Sequence, residues 1–407
     1  MSADPAASER WLSIVGIGED GVDGLSPLAR RAIERAAFVF GGTRHLALAA
    51  ELITGEAIPW PSPFAIDGVL ARRGAAVTVL ASGDPFLHGV GNLIARHVAP
   101  AEMLVVPAPS AFSLAASRLG WPLAEITTLS LHGRPLDLIR PHLFDGARLL
   151  ILTSDGAAPA EIATLMAKAG FGPSRLTVLE ALGGPAEAIR TATAAQFKLA
   201  TIHPLNVLAV EVAAEPGAHI LPRSAGLPDQ LFENDGQITK REIRALTLSA
   251  LAPRPGEQLW DIGAGSGSVG IEWMLADRRM RAIAIEPNAG RGDRILQNTA
   301  AFGVPGLELV RGSAPEALAG LPRPDAIFIG GGVSRPGVID TAIAALPSGG
   351  RLVINAVTLE TEALLIARHG THGGDLIRIS LDRARPLAGM TGWEPARPVV
   401  QWSWVKP

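Results

Sequence analysis

The residues best suited to chemistry in this chain sit in short glycine-rich stretches, each directly after an apolar run. Asp261-Ile262-Gly263-Ala264-Gly265-Ser266-Gly267 leads into a helix-period segment that includes Ile271–Ala276. Glycine lets the backbone turn sharply and approach a ligand closely, and the free N–H groups of a helix start favour a carboxylate or phosphate. Glu286, 23 residues beyond Gly263 at the end of the next apolar run, is placed to accept hydrogen bonds from ribose hydroxyls. Arg311-Gly312-Ser313-Ala314-Pro315 follows a third run, where a small residue such as Ala314 lets an adenine ring lie flat. Gly330-Gly331-Gly332 closes a fourth. That set suits either an adenosine-containing methyl donor or NAD. The dinucleotide fingerprint wants glycine where Ser268 stands, which favours the methyl donor.

The first half has Gly16-Ile17-Gly18-Glu19-Asp20-Gly21 after a strand-like run. Its next strand, Phe38–Phe40, ends in Gly41-Gly42 with no acid for a ribose, so a nicotinamide site is disfavoured here too. Ser82-Gly83-Asp84-Pro85-Phe86 and Pro107-Ala108-Pro109-Ser110-Ala111 follow two further strands. Three small-residue strand ends can converge on one cleft. Basic residues near strand ends suit an acidic substrate: Arg44 and His45, His132 and Arg134, and Lys240, Arg241 and Arg244. His132 follows a strand-like Thr127–Leu131 and is either a proton shuttle or a satisfied structural histidine. Arg241 and Arg244, three apart on a helix face, are either a solvated pair or substrate contacts. Thr239 and Glu242 have capping-box spacing, and His88 reads as a support for its own loop.

These stretches need strands and helices to position them. Short apolar runs alternate with helix-period segments throughout the 407 residues, the pattern of α/β layers on mainly parallel sheets. The alternation breaks once, at Ala213–Gly236, which predicts domains over 1–212 and 236–407 with a linker over 213–235. In the first domain, strands are predicted at Leu12–Gly16, Val77–Ala81, Met103–Val106, Leu149–Thr153, Leu176–Glu180 and Val207–Val212, with Ser26 and Pro27 starting a helix to about Ala37. The second domain has seven: Gln258–Ile262, Arg281–Glu286, Leu307–Val310, Ala326–Ile329, Leu352–Ile354, Leu376–Ile379 and Val399–Trp402, as in a doubly wound sheet. A hydrophobic share of 48% supports more than one core. With no cysteine there is no disulfide, thiolate metal site or cysteine nucleophile, and no metal is expected. A net charge of −3 gives no general attraction to nucleic acid or to acidic membranes. No run nears 18 apolar residues, and acids Asp4 and Glu9 stand in the N-terminal segment, so a cytoplasmic protein is expected.

The GIGEDG loop with Leu25-Ser26, the SGDPF loop and the PSAFSLAASRLG segment, in that order, resemble the tetrapyrrole (corrin and porphyrin) methylases. Ser26 stands where that family often has threonine, and Asp20 where a third close glycine is common. The second half, through Gly236–Glu242, DIGAGSGSVGIE and PDAIFIGGG, resembles the seven-strand S-adenosylmethionine methyltransferases of the decarboxylating precorrin branch. The resemblance implies a tetrapyrrole-methylase α/β fold with two subdomains and a cleft, followed by a Rossmann-like methyltransferase fold. It implies S-adenosylmethionine at two sites, one per domain. The donor contacts expected are Gly16, Gly18, Gly83, Asp84, Ser110 and Ala111 in the first, and Thr239, Gly263, Ala264, Gly265, Ser266, Gly267, Glu286 and Ala314 in the second. The implied substrate is a small-molecule tetrapyrrole faced by Arg44, His45, His132, Arg134, Lys240 and Arg241. The implied events are methylation of its carbon 5 by the first domain, and decarboxylation of the carbon-12 acetate with methylation of carbon 15 by the second. No catalytic side chain is assigned. Association into homo-oligomers is also implied.

Overall fold

A computed structural model describes residues 10–222 and 224–407; the acids Asp4 and Glu9 lie outside the described residues. The chain divides into two compact units, one of residues up to Leu136 with His142–His219, the other of Asp137–Pro141 with Ile220–Pro407.

The first unit has two sheets. One is wholly parallel, made of β1 (Leu12–Ile17), β2 (Phe38–Gly41), β3 (Glu56–Pro59), β4 (Val77–Ser82) and β5 (Met103–Val106) in the order β3-β2-β4-β1-β5. Alternate side chains feed opposite faces: Ile14 and Val79 enter one core, Val15 and Leu80 the other, and both faces are covered. The helix Pro27–Glu34 begins where Ser26 Oγ accepts from Ala29 N at 3.2 Å and proline fills the first position. It ends three residues before the expected Ala37. The second sheet is mixed, with β6 (Thr127–Ser130), β7 (Arg148–Leu152), β8 (Arg175–Glu180), β9 (Ala188–Thr193) and β10 (Asn206–Glu211) in the order β6-β7-β10-β8-β9.

The second unit is one seven-stranded sheet: β11 (Gln258–Ile262), β12 (Arg281–Ile285), β13 (Glu308–Val310), β14 (Ala326–Ile329), β15 (Arg351–Ala356), β16 (Asp375–Ile379) and, beyond a hairpin, β19 (Val399–Val405). The order is β13-β12-β11-β14-β15-β19-β16, with only β19 antiparallel to its neighbours. Strand order reverses between β11 and β14, so a crevice opens at their carboxyl ends, where the glycine stretches lie. The hairpin β17 (Asp382–Leu387) and β18 (Met390–Pro395) is absent from the sequence reading, as are β3 and β9. Their mostly exposed residues lack the apolar run that marks a buried strand.

Within 213–235, the N–H groups of Glu215 and His219 donate to the carbonyls of Gly170 and Ala169, while Leu227 and Phe232 are buried in the core of the second unit. Two expectations about the helix that follows residue 240 differ from the structure. Thr239 does not cap a helix. The helix Arg241–Leu251 starts one residue later, on Lys240 and without a side-chain cap, and Glu242 instead accepts from Arg383 of the hairpin. Arg244 is neither solvated nor available to substrate, because it is fully buried. Its guanidinium donates to Glu272, to Asp229 and to the carbonyls of Thr239 and Leu227, and lies 4.7 Å from the centre of the Phe232 ring. Engagement of the Thr239 carbonyl by this buried group sets where the helix can begin.

Glu272 also accepts from the N–H groups of Gly226 and Leu227 at 2.7 and 2.8 Å, so one buried ion pair pins the segment before the helix to the helix after the glycine loop. Arg244→Met is expected to cost about 3–5 kcal/mol, because a buried carboxylate loses its partner. The double variant with Glu272→Gln should cost less than the sum of the two single changes. Urea unfolding of the four proteins in a double-mutant cycle measures that coupling.

Candidate functional site

In the first unit the loops after β1, β4 and β5 meet as expected from their small residues. A Cβ at Gly16 would stand 1.9 Å from the Gly83 carbonyl oxygen and 2.6 Å from Ala108 N; one at Gly83 would stand 2.9 Å from the Pro109 oxygen. No larger residue fits at either place. Beside this junction is a cavity of about 500 Å³ whose lining includes Asp84, Ala108, Pro109, Ser110 and Thr128. Ser110 caps the helix Ala111–Leu119 by accepting from Ser113 N at 3.1 Å, so that helix's free N–H groups start at the cavity wall. Asp84 shapes its own loop by accepting from Phe86 N at 2.8 Å. Of the expected donor residues, Asp84 and Ser110 line the cavity, Gly16 and Gly83 form the junction beside it, Ala111 opens the helix, and Gly18 packs against the Asp20 carboxylate.

Arg44 and His45 follow β2 on the same sheet edge. Arg44 is not a free cation: it pairs with Glu19 and donates to Ser82 Oγ at 3.0 Å. His45 Nε2 lies 2.8 Å from Ser82 Oγ, while its buried Nδ1 has no partner. Burial, and after it the Arg44 charge, lowers the His45 pKa from 6.5 to about 4. His132 and Arg134 are exposed beyond β6, with His132 Nδ1 3.1 Å from the Thr153 carbonyl. Sequence reasoning did not single out Ser82 or Glu19. Both immediately adjoin residues it had named, and convergence of three strand ends was the signal that could have found them.

In the second unit Gly263, Gly265 and Gly267 all have positive φ, of 70°, 60° and 75°, which only glycine adopts without strain. A Cβ at Gly263 would meet Gly331 N at 2.7 Å, so the loop and the glycine mouth after β14 touch backbone to backbone. Glu286, buried at the end of β12, accepts from Gly265 N and Asn288 N, both at 2.9 Å. Each oxygen keeps a further lone pair for a ligand hydroxyl. Gln237 passes over the loop, its carbonyl 3.0 Å from where a Cβ of Gly265 would be. Asn298, 1% exposed, bonds Glu233 and the Ser266 carbonyl, tying this overlying segment to the loop. Thr239 continues the same segment and Ala264 packs beside the core. Ala314 is buried, a member of the core cluster that includes Trp260, Ile285 and Ile329. Lys240 and Arg241 are exposed at the helix start.

Beneath the loop Asp261 is almost wholly buried. Oδ2 accepts from Gly270 N at 2.9 Å, and Oδ1 has no partner. Burial raises its pKa from 3.8 to about 7, with the nearby Glu286 charge adding to the rise. The buried Ser266 Oγ is likewise unpartnered. An acid able to take ribose hydroxyls, unpartnered polar atoms and a cradle that a Cβ would fill fit an adenosine-bearing methyl donor in this loop. Among the described residues no group of three or more His, Cys, Asp or Glu is placed to hold a metal ion, and no helix is long and apolar enough to cross a membrane.

A parallel sheet with converging glycine ends joined to a seven-stranded doubly wound sheet defines a two-part methyltransferase. Residues 12–198 match the tetrapyrrole (corrin/porphyrin) methylases and residues 230–406 the precorrin methyltransferase domain. The chain is 62% identical over 407 residues to a precorrin-6Y C(5,15)-methyltransferase [decarboxylating] of Sinorhizobium sp, covering all of this chain and 98% of the relative. It is 42% identical to one of Mycobacterium tuberculosis over 97% of this chain and 99% of that one. The solved C-terminal domain of precorrin-6Y C5,15-methyltransferase from Rhodobacter capsulatus is 51% identical, spans 46% of this chain and all of its own, and has a TM-score of 0.44. The chain belongs to the precorrin-6Y C(5,15)-methyltransferase (decarboxylating) family.

The raised pKa of Asp261 has a definite sign. Between about 3.8 and about 7 the unfolded chain has lost this proton and the folded chain retains it, so the group's contribution to stability falls as pH rises through that window. Asp261→Asn keeps an acceptor for Gly270 N and removes the titration. Its melting temperature relative to wild type should climb from pH 4 to about pH 7 and level off above, in parallel thermal melts of the two proteins.

Proposed function

We propose that this enzyme methylates carbons 5 and 15 of precorrin-6B (precorrin-6Y) and decarboxylates its carbon-12 acetate, giving precorrin-8 in cobalamin biosynthesis. The first unit methylates carbon 5. The second removes carbon dioxide and methylates carbon 15. Full-length likeness to relatives carrying both parts supports the overall reaction, and the separate match of each part to its own methylase family supports this division.

The methyl donor, S-adenosylmethionine, supplies an electrophilic methyl group on a sulfonium. We place one donor site in each unit. In the first, Gly16, Gly18, Gly83, Asp84, Ser110 and Ala111 surround it. In the second, the Gly263–Gly267 loop and Glu286 hold it, with Thr239 and Ala314 at the margins. Methyl transfer is an in-line displacement, so the protein's work is alignment and exclusion of water. The strap from Glu233 to Thr239, held down by Asn298 and Arg244, supports that role in the second unit.

The substrate carries many carboxylates, which calls for cations free of internal partners. Lys240 and Arg134 meet that requirement, with His132 beside Arg134; Arg241, exposed but within the field of Glu242, is the third candidate. Arg44 and His45 face substrate as part of a polar cluster instead. Decarboxylation leaves electrons that the conjugated ring can absorb, with a proton delivered from solvent or a side chain. The protein works in the cytoplasm, acts on no nucleic acid and associates with copies of itself.

The observation that carries the two-site reading is the backbone contact at each glycine junction, where any side chain collides. Gly16→Val in the full chain is expected to suppress one methylation about 10²-fold or more while decarboxylation proceeds. Gly263→Val is expected to suppress both carbon dioxide loss and the other methylation. Mass spectrometry of the products after incubation with labelled donor decides. Loss of both methyl groups in each variant would contradict the division.

A further inference from the structure

Methylation of a neutral carbon by a sulfonium has a charge balance that donor-binding loops leave unmet. As the new C–CH3 bond forms, the S–CH3 bond breaks with its electron pair on sulfur, and the macrocycle becomes positively charged. One proton must then leave the substrate, the electrons of its bond returning to the conjugated ring. A group on the binding edge has to receive it, and that group must be unprotonated at working pH. The charged macrocycle is a strong acid, so a weak base suffices.

Three neighbouring strand ends of the first sheet bring such a group together. Glu19 follows β1, Arg44 and His45 follow β2, and Ser82 ends β4. Arg44 Nη1 donates to Glu19; Nη2 is 3.0 Å from Ser82 Oγ and 2.9 Å from His45 Nε2. A guanidinium only donates, so the Nε2 facing it is the unprotonated ring nitrogen and the ring proton sits on Nδ1. The Ser82 hydroxyl therefore accepts from Arg44 and directs its own proton to Nε2, 2.8 Å away. Ser82 is exposed and adjoins Gly83, whose carbonyl packs on Gly16 at the donor junction.

We propose that Ser82, backed by His45, accepts the proton that leaves the substrate during methylation in the first unit, with Arg44 and Glu19 as positioning residues. The proton goes to Ser82 Oγ while the serine's own passes to His45 Nε2 and then to solvent. Of the groups around the imidazole, Arg44 on its own helix and Glu19 beyond it are charged, and Ser82 from β4 is neutral. Burial and Arg44 keep the ring deprotonated down to about pH 4, so it is ready to accept across the physiological range. This inference rests on the assignment of one methylation to the first unit.

The test uses the full chain, tetrapyrrole substrate and labelled S-adenosylmethionine, with products read by mass. Ser82→Ala should slow the first-unit methylation by about 10²–10⁴-fold at unchanged KM for the donor, with carbon dioxide loss and the other methylation proceeding as a control for folding. Ser82→Thr, which retains the hydroxyl, should recover about a tenth of the rate or more. Nitrogen-15 NMR of histidine in the protein without ligands should show His45 as the Nδ1–H tautomer, titrating near pH 4, and Arg44→Gln should move that titration upward toward 6.5. A wild-type rate in Ser82→Ala, or an Nε2–H tautomer, overturns the proposal. Gly16→Val separates the two levels. If both methylations survive in it, the assignment to the first unit fails; if one is lost there but kept in Ser82→Ala, only the proton transfer fails.

Discussion

The glycine-rich edges of both units depend on backbone approaching backbone closer than any side chain permits. Gly16 lies against Gly83 in one unit and Gly263 against Gly331 in the other, each pair from the ends of adjacent parallel strands. Parallel pairing brings the two ends to the same edge, and the missing Cβ atoms let the loops close up before either chain turns into its helix. The cavity in the first unit and the crevice in the second follow from these contacts. The helix starts at Ser110 and Gly267 then present N–H groups that no strand can satisfy.

The second edge carries an electrostatic cost beside this steric requirement. Two acids, Asp261 and Glu286, lie buried beside one loop; Glu286 accepts from Gly265 N of that loop and from Asn288 N, and Asp261 from Gly270 N in the first turn of the following helix. Glu286, with a backbone donor on each oxygen, is the better solvated of the two. Asp261 is buried with one donor for two oxygens, and burial, with the Glu286 charge adding to it, raises its pKa. The geometry beneath the loop thus carries a carboxylate that would ionise more readily in water, a pattern that clusters at functional sites.

Most of the fold was legible in the sequence because buried parallel strands write themselves as unbroken apolar runs. Gln258–Ile262, Ala326–Ile329 and Met103–Val106 are observed with the bounds expected of them. The strand Ala188–Thr193 was hidden because only one face is covered and its exposed positions interrupt the run. The glycine junctions were legible for a similar reason, since Gly16, Gly83, Gly263 and Gly331 all stand at strand ends. What a single sequence conceals is burial of charge. Arg244 has the spacing of a surface residue, and nothing local announces that Glu272, Asp229 and two carbonyls will surround it. The same hidden charge engages the Thr239 carbonyl, and the helix starts on Lys240 instead of Thr239.

Ion pairs separate the basic residues that serve the scaffold from those without a charged partner. Arg44 is committed to Glu19, Arg244 to Glu272 and Asp229, Arg383 to Glu242, and Arg291 and Arg294 to Asp235. A substrate carboxylate could use any of these only by displacing one already in place, gaining little net charge interaction. Arg134, Lys240 and Arg241 form no ion pair among the described residues and stand exposed. An arginine already neutralised by a carboxylate offers an arriving anion little net attraction, whereas an unpaired exposed cation carries a net positive charge that water and salt screen but no acid cancels. The paired arginines hold loops and straps in place, and the proposed substrate contacts Arg134, Lys240 and Arg241 are among the exposed cations outside those pairs.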